Sequence, residues 1–151
     1  MKKLLETIDK TDEAVEIWYA NKIGGTPALP LFLRVYAEIV EKGFATSLFM
    51  FSDTDQVVWA QRPSGKVLGG ISFEYQSNKR CGFLVLSFTD PTERGKGINE
   101  LCHWAYEKQS KEQGAVFLQS IVHVDNVSRI KSAAKVGMTP KFLQMHKEII
   151  R

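Results

Sequence analysis

Cysteine is scarce in this sequence: Cys81 and Cys102 are the only two in 151 residues, and no pairing or metal-ligand spacing surrounds them. A disulfide framework is excluded as the source of stability, no metal site is expected, and a reduced, cytoplasmic setting is the default. Long apolar runs are missing too. No stretch approaches the ~20 apolar residues of a membrane span, so no membrane partner is expected. The start, Met1-Lys2-Lys3-Leu4-Leu5-Glu6, meets an acid before any long apolar run and does not read as a secretory signal. Internal repeats and low-complexity tracts are absent. A large excess of one charge is also lacking. The net charge of +3 does not point to nucleic acid, and no such partner is expected. The charge is nonetheless uneven. Glu6, Asp9, Asp12, Glu13 and Glu16 cluster near the start, while Arg129, Lys131, Lys135, Lys141, Lys147 and Arg151 crowd the end. For most of these a solvated surface is the simplest explanation.

What is present suits one globular domain over residues 1–151. Apolar residues make up 44% and charged ones 25%, which excludes disorder. A chain of this length buries roughly two-thirds of its unfolded surface. In residues 11–22, Ala14, Val15, Ile17, Trp18 and Tyr19 occur with the acids Asp12, Glu13 and Glu16, which suit a helix N-terminus, and this predicts a helix. After Gly24-Gly25-Thr26-Pro27, the spacing of Leu31, Phe32, Val35, Tyr36, Ile39 and Val40 predicts a second helix stopped by Gly43. The period then changes. Thr46 to Phe51, Val57 to Ala60, Val67 to Tyr75 and Cys81 to Thr89 are β-branched or aromatic, the last three separated by short turns, and predict strands, with an antiparallel meander over the last three. From Gly97, Ile98, Leu101, Cys102 and Ala105 predict a helix ending near Gly114. A buried strand over Val116 to Val124, a helix through Ile130 to Val136 and a last strand over Met138 to Ile150 follow. The βαβα order implies a parallel pair in a mostly antiparallel sheet flanked by helices, an α/β (α+β) domain.

The chemistry concentrates in Asp90-Pro91-Thr92-Glu93-Arg94-Gly95-Lys96-Gly97-Ile98-Asn99. A strand ends there, a loop with two glycines and two cations follows, and a helix begins. Glycines let backbone N–H groups face a ligand with no Cβ in the way. The helix N-terminus adds unsatisfied donors, and Arg94 and Lys96 add full charges, so the segment makes an anion cradle suited to a pyrophosphate. The bland alternative is an ordinary β–α turn with solvated cations.

The segment resembles the acetyl-CoA motif of the GNAT acetyltransferase superfamily, R/Q-x-x-G-x-G/A, with Arg94 and Gly97 at its first two fixed positions and Asn99 where Gly or Ala is usual. A second block, Asn126-Val127-Ser128-Arg129-Ile130-Lys131-Ser132-Ala133-Ala134-Lys135-Val136-Gly137-Met138, is similar to the family's N-x-x-A/S-x-x-x-Y-x-K-x-G-F. Val67-Leu68-Gly69-Gly70-Ile71-Ser72 resembles the strand before the cofactor strand in histone-type members. The likeness covers roughly residues 57–138. It implies a GNAT-type acyltransferase fold and acetyl-CoA as acyl donor, bound by Phe88 and Thr89 along the pantetheine arm, by Arg94, Gly95, Lys96, Gly97, Ile98 and Asn99 at the pyrophosphate, and by Asn126 beside the pantetheine or acetyl group. Asn126 also suits a helix N-cap, and both roles are compatible.

The implied reaction is acetyl transfer to an amine of a small molecule or protein. The amine must lose a proton, the thioester carbonyl needs hydrogen-bond support, and the leaving thiolate needs a proton. The family's tyrosine acid falls on Ala133 and its glutamate base near Cys81, so both groups are missing. Glu74 and His123 are the substitute catalytic candidates, each with a structural alternative: a surface strand position for Glu74, a satisfied histidine for His123. The Gly24–Pro27 loop, Phe49, Phe51 and Trp59 are where an acceptor site is expected. Two other classes stay open, a CoA-binding module without catalysis and a transferase acting on nucleic acid. A homodimer is compatible with the implied fold.

Overall fold

The computed structural model describes residues 1–44 and 51–149. Its first two elements are strands, β1 (Lys2–Ile8) and β2 (Ala14–Ala20), paired antiparallel. The helix expected over 11–22 is therefore a turn and a strand. The turn is built by Asp9, just ahead of the acids that suggested a helix start. Asp9 Oδ1 accepts from the N–H and hydroxyl of Thr11, both at 2.7 Å, and from the N–H of Glu13 at 3.2 Å. Val15, Ile17 and Ala20 then bury themselves in the sheet, and pairing on both flanks of β2 outweighs the helical spacing.

Helix α1 (Leu29–Glu41) forms as expected, with Pro30 in its first turn, where no N–H is needed. Strands β3 (Gln56–Gln61), β4 (Val67–Gln76) and β5 (Cys81–Thr89) make the anticipated meander. The strand expected at Thr46 to Phe51 lies, except for Phe51, outside the described residues. Helix α2 (Ile98–Glu112) crosses over to β6 (Phe117–Ser120), which pairs parallel to β5, and α3 (Val127–Lys135) follows. The six strands lie in the order β1-β2-β3-β4-β5-β6.

Two apolar layers hold the sheet. Ile98, Cys102, Ala105 and Tyr106 of α2 pack on one face with Val58, Leu68, Ile71, Phe73 and Leu84. Phe32 and Val35 of α1 pack on the other with Ile23, Val57, Trp59 and Leu86. Each fully buried Val, Leu, Ile or Phe among them contributes about 1.5–3 kcal/mol.

Two expectations at the end of the chain are corrected. The buried strand over Val116 to Val124 is only the four residues of β6, with Val116 and Val124 exposed, because β6 is the sheet's edge. Residues 138–149 form no strand. Phe142, Leu143, Met145 and Ile149 are exposed, and the apolar residues hold period-two spacing only at Leu143 and Met145.

Candidate active site

The β5–β6 ladder stops early. Its last pair is Leu84 with Ser120, and beyond it the two chains part. At the same point Val85 is extra in the β4–β5 register, a bulge between Leu84 and Leu86 that bends β5. The gap opens into a cleft of about 820 Å³ lined by Val85 to Thr89 on one side and Ser120 to His123 on the other. Past Leu84, the edge of β5 turned toward β6 carries no ladder bonds, so its backbone faces the cleft and can pair with an extended, amide-bearing ligand.

The cleft runs on to the loop before α2. Asp90 donates its N–H to Leu68 O at 2.8 Å, and its carboxylate accepts from the N–H (2.9 Å) and hydroxyl (2.8 Å) of Thr92. These bonds set a single 3₁₀ turn over Pro91–Glu93. Gly97 follows as the residue before α2, at φ 83°, a left-handed conformation that a side chain resists. A Cβ there would also approach Lys10 and Glu100 to 3.2 Å. No side chain caps α2, so its first N–H groups remain open to a ligand.

An ion network anchors this loop from beneath. The Glu93 carboxylate receives Lys96 Nζ at 2.9 Å, and Lys66 Nζ and Arg62 Nη2 at 3.0 Å. Arg62 Nη2 also lies 2.9 Å from both Asp9 Oδ2 and Glu13 Oε2. The hydrogen bond from Lys96, with those from Lys66 and Arg62, overcomes burial and holds the Glu93 carboxyl down to about 2. Burial would raise the Asp9 carboxyl, but hydrogen bonds from Thr11, Arg62 and Glu13 outweigh it and keep it well below the usual range. The network reaches the first hairpin a second way, since Lys10 N–H donates to Lys96 O at 3.0 Å and Lys10 Nζ pairs with Glu100 at 3.1 Å.

Most of the expected site residues meet in this cleft. Phe88, Thr89, Arg94, Gly95, Gly97, Ile98, Asn99, His123 and Asn126 all line it. Lys96 does not, because its ammonium turns inward to Glu93. The Asn99 side chain is held on β5 by the Ser87 hydroxyl at 3.1 Å. Asn126 caps α3, its Oδ1 accepting the Arg129 N–H at 3.3 Å. His123 rests on the Phe44 ring with centroids 5.2 Å apart, and its Nδ1 accepts the Asp125 N–H at 3.1 Å. In a neutral ring that bond puts the proton on Nε2.

Glu74 stands apart from this group. It is exposed on β4 and lines a separate polar depression with Tyr19, Asp55 and Gln113, because it lies toward the end of β4 that pairs with the start of β5. The acceptor-side expectation also shifts. Neither the Gly24–Pro27 loop nor Trp59 lines the cleft; Trp59 is core, stacked on Trp18 at 6.2 Å. Phe51 does line it, 6.0 Å from the rings of Phe32 and Tyr36, while Phe49 lies outside the described residues. Val35, Tyr36, Glu38 and Ile39 of α1 complete that wall, which the α1 periodicity could have suggested, together with Arg129, which no sequence signal marked as a cleft residue. Both cysteines are buried and free, and burial pushes the Cys102 thiol up to about 12, so neither is a nucleophile.

A bulged strand thus parts from its parallel neighbour and opens onto an uncapped helix N-terminus behind a glycine loop, and comparison of the sequence with family models adds a separate observation. The model of the acetyltransferase (GNAT) family matches residues 26–138. The chain belongs to that family. Solved structures agree with the fold of this GNAT domain. An aminoglycoside acetyltransferase, meta-AAC0020, from an uncultured soil metagenomic sample and in complex with trehalose, is 14% identical, covering 91% of this chain and 96% of its own with a TM-score of 0.62. The structure of AAC(6')-Iy in complex with a bisubstrate analog, CoA-S-monomethyl-acetylneamine, is 15% identical over 90% of this chain and 99% of its own, with a TM-score of 0.60. A Trypanosoma brucei acetyltransferase is 14% identical over 89% and 99%, with a TM-score of 0.56. No curated protein matches the acetyltransferase by sequence. Among its described residues no helix is long and apolar enough to cross a membrane.

Proposed function

We propose that this acetyltransferase moves the acetyl group of acetyl-CoA to an amine of a small molecule or protein, with the pantetheine arm between β5 and β6. One observation carries the reading: the unpaired edge of β5 and the open N-terminus of α2 face the same cleft. The first suits an arm with two amides, the second a diphosphate. Arg94 is exposed on the cleft wall and adds charge at the diphosphate end. The crystallised relative that holds a CoA-linked bisubstrate analog supports the same choice of donor.

In the reaction the amine nitrogen bonds to the thioester carbonyl carbon, the C–S bond breaks, and the proton lost by the amine balances the one the thiolate gains. Backbone N–H groups near Phe88 and Thr89 support the carbonyl oxygen as it gains charge. His123 is the catalytic candidate we retain. With Nδ1 engaged by Asp125, its Nε2–H donates toward the leaving sulfur. Glu74 is left out, since it lines the other depression. Ala133 in place of the family's tyrosine leaves the chemistry to positioning and to this one imidazole.

Calorimetry with acetyl-CoA tests the donor site. Native protein should bind, and Gly97→Glu, which puts a carboxylate at the helix entrance, should abolish binding. A native protein that ignores acetyl-CoA removes the reading. Thiol release across a panel of amines then tests the transfer; binding with no release reduces the protein to a CoA-holding module. A homodimer is proposed at the open edge of β6, where Val116, Phe117 and Ile121 are exposed. Light scattering should give twice the monomer mass, and a monomer at high concentration sinks it.

A further inference from the structure

Arg129 stands in the first turn of α3, three residues after Asn126, where the family pattern has Ala or Ser. Its side chain lines the cleft. Nη1 donates to Ser132 Oγ at 3.1 Å, and that hydroxyl donates back to the Arg129 carbonyl at 3.0 Å. Nη2 is buried and has no hydrogen-bond partner among the described residues. Among the described residues no carboxylate pairs with the guanidinium. The titratable side chains with which it interacts electrostatically are His103 and Tyr106 of α2. Burial and then the Arg129 charge push the His103 pKa down, so the imidazole is neutral. The Tyr106 hydroxyl is neutral too and donates to Gly82 O.

A guanidinium stays charged in proteins, and burying it without a counterion is costly. The rest of the cleft offers little compensation. Among the described residues six cations line it against three acids, Glu38, Glu93 and Glu100. Glu93 is held in the Arg62 network and Glu100 pairs with Lys10. Lys131 and Lys135 stand on the same helix as Arg129 and add to the positive field. The missing negative charge is one that arrives with a ligand.

We infer that Arg129 is an anion-binding residue of the cleft, its guanidinium fork closing on an oxyanion of the acyl donor. This rests on the CoA reading above. Two groups share the chemistry: a phosphate of CoA itself, or the free carboxylate of a dicarboxylic acyl group. Either accepts the two parallel hydrogen bonds that Arg offers and Lys does not.

The test is calorimetry of CoA, acetyl-CoA and succinyl-CoA with native protein, Arg129→Met and Arg129→Lys. Loss of a charged hydrogen bond should weaken binding in the Met variant about tenfold or more. The Lys variant keeps the charge, loses the fork and should fall between. Weakening of all three ligands assigns Arg129 to a CoA phosphate; weakening of succinyl-CoA alone assigns it to an acyl carboxylate. The ligand-free Met variant should melt no lower than native, since it removes a buried, uncompensated charge, and this separates a lost contact from a lost fold. If the Met variant does not fold, the Lys variant decides alone. Variants that bind all three ligands as native does overturn the inference and leave the CoA site standing. A native protein that binds none of the three overturns the CoA reading, and this inference with it.

Discussion

At the scale of single residues, the cleft separates two substitutions that look alike on paper. His123 faces the cleft and Glu74 does not. His123→Asn should lower turnover about a hundredfold, the ordinary worth of a positioned acid, with acetyl-CoA affinity intact. Glu74→Gln should leave both unchanged, and a rate loss there would revive a role for the far depression. Arg62 is the other residue on which much converges. Its side chain is only 11% exposed and joins Asp9, Glu13 and Glu93. Arg62→Ala strips a buried pair of one partner and should cost about 3 kcal/mol in urea unfolding.

At the scale of elements, legibility followed how local the cause was. The β3–β5 meander could be read because β-branched runs and their turns declare themselves within a few residues. Helices α1 and α2 could be read from their spacing, and the loop before α2 from its glycines and cations. Strand β2 was misread because the acids taken for a helix start answer to partners elsewhere: Glu13 to Arg62, Glu16 to Lys3. Strand β1 was not read at all, since Lys2-Lys3-Leu4-Leu5 has no alternation. Within the site, the glycine loop and Asn126 carried local signatures. The α1 spacing marked an apolar face but not that it walls the cleft, and nothing local marked Arg129, because sharing a cleft and lacking a partner are relations between distant segments. Where β5 leaves β6, its edge amides lack ladder bonds. Hydrogen exchange over Val85–Thr89 should therefore slow when CoA is added, while β3 stays unchanged. Equal exchange with and without ligand would place the arm elsewhere.

For the whole molecule, stability should depend on acid in a defined window. The carboxyls of Glu93 and Asp9 both titrate below their ordinary values of 4.5 and 3.8 in the folded state. A depressed carboxyl stabilises the fold above its unfolded pKa, and that contribution is lost as pH falls through the folded one. Urea midpoints should hold from neutrality down to roughly pH 5, then decline toward about pH 2. Arg62→Ala should flatten that decline. An unchanged slope in the variant would show that the network does not set it.

The first hairpin has a consequence for where this enzyme begins. The family match starts at Thr26, which leaves β1 and β2 outside it. Yet the turn between those strands supplies Asp9 and Glu13 to Arg62, and the Lys10 N–H to Lys96 within the loop before α2. A fragment cut at the edge of the match would keep every described residue that lines the cleft except Lys10, and lose the scaffold that holds the loop in shape. The smallest working unit should thus be longer than the stretch by which the family is recognised, since the part outside that match serves as the foundation of the loop within it.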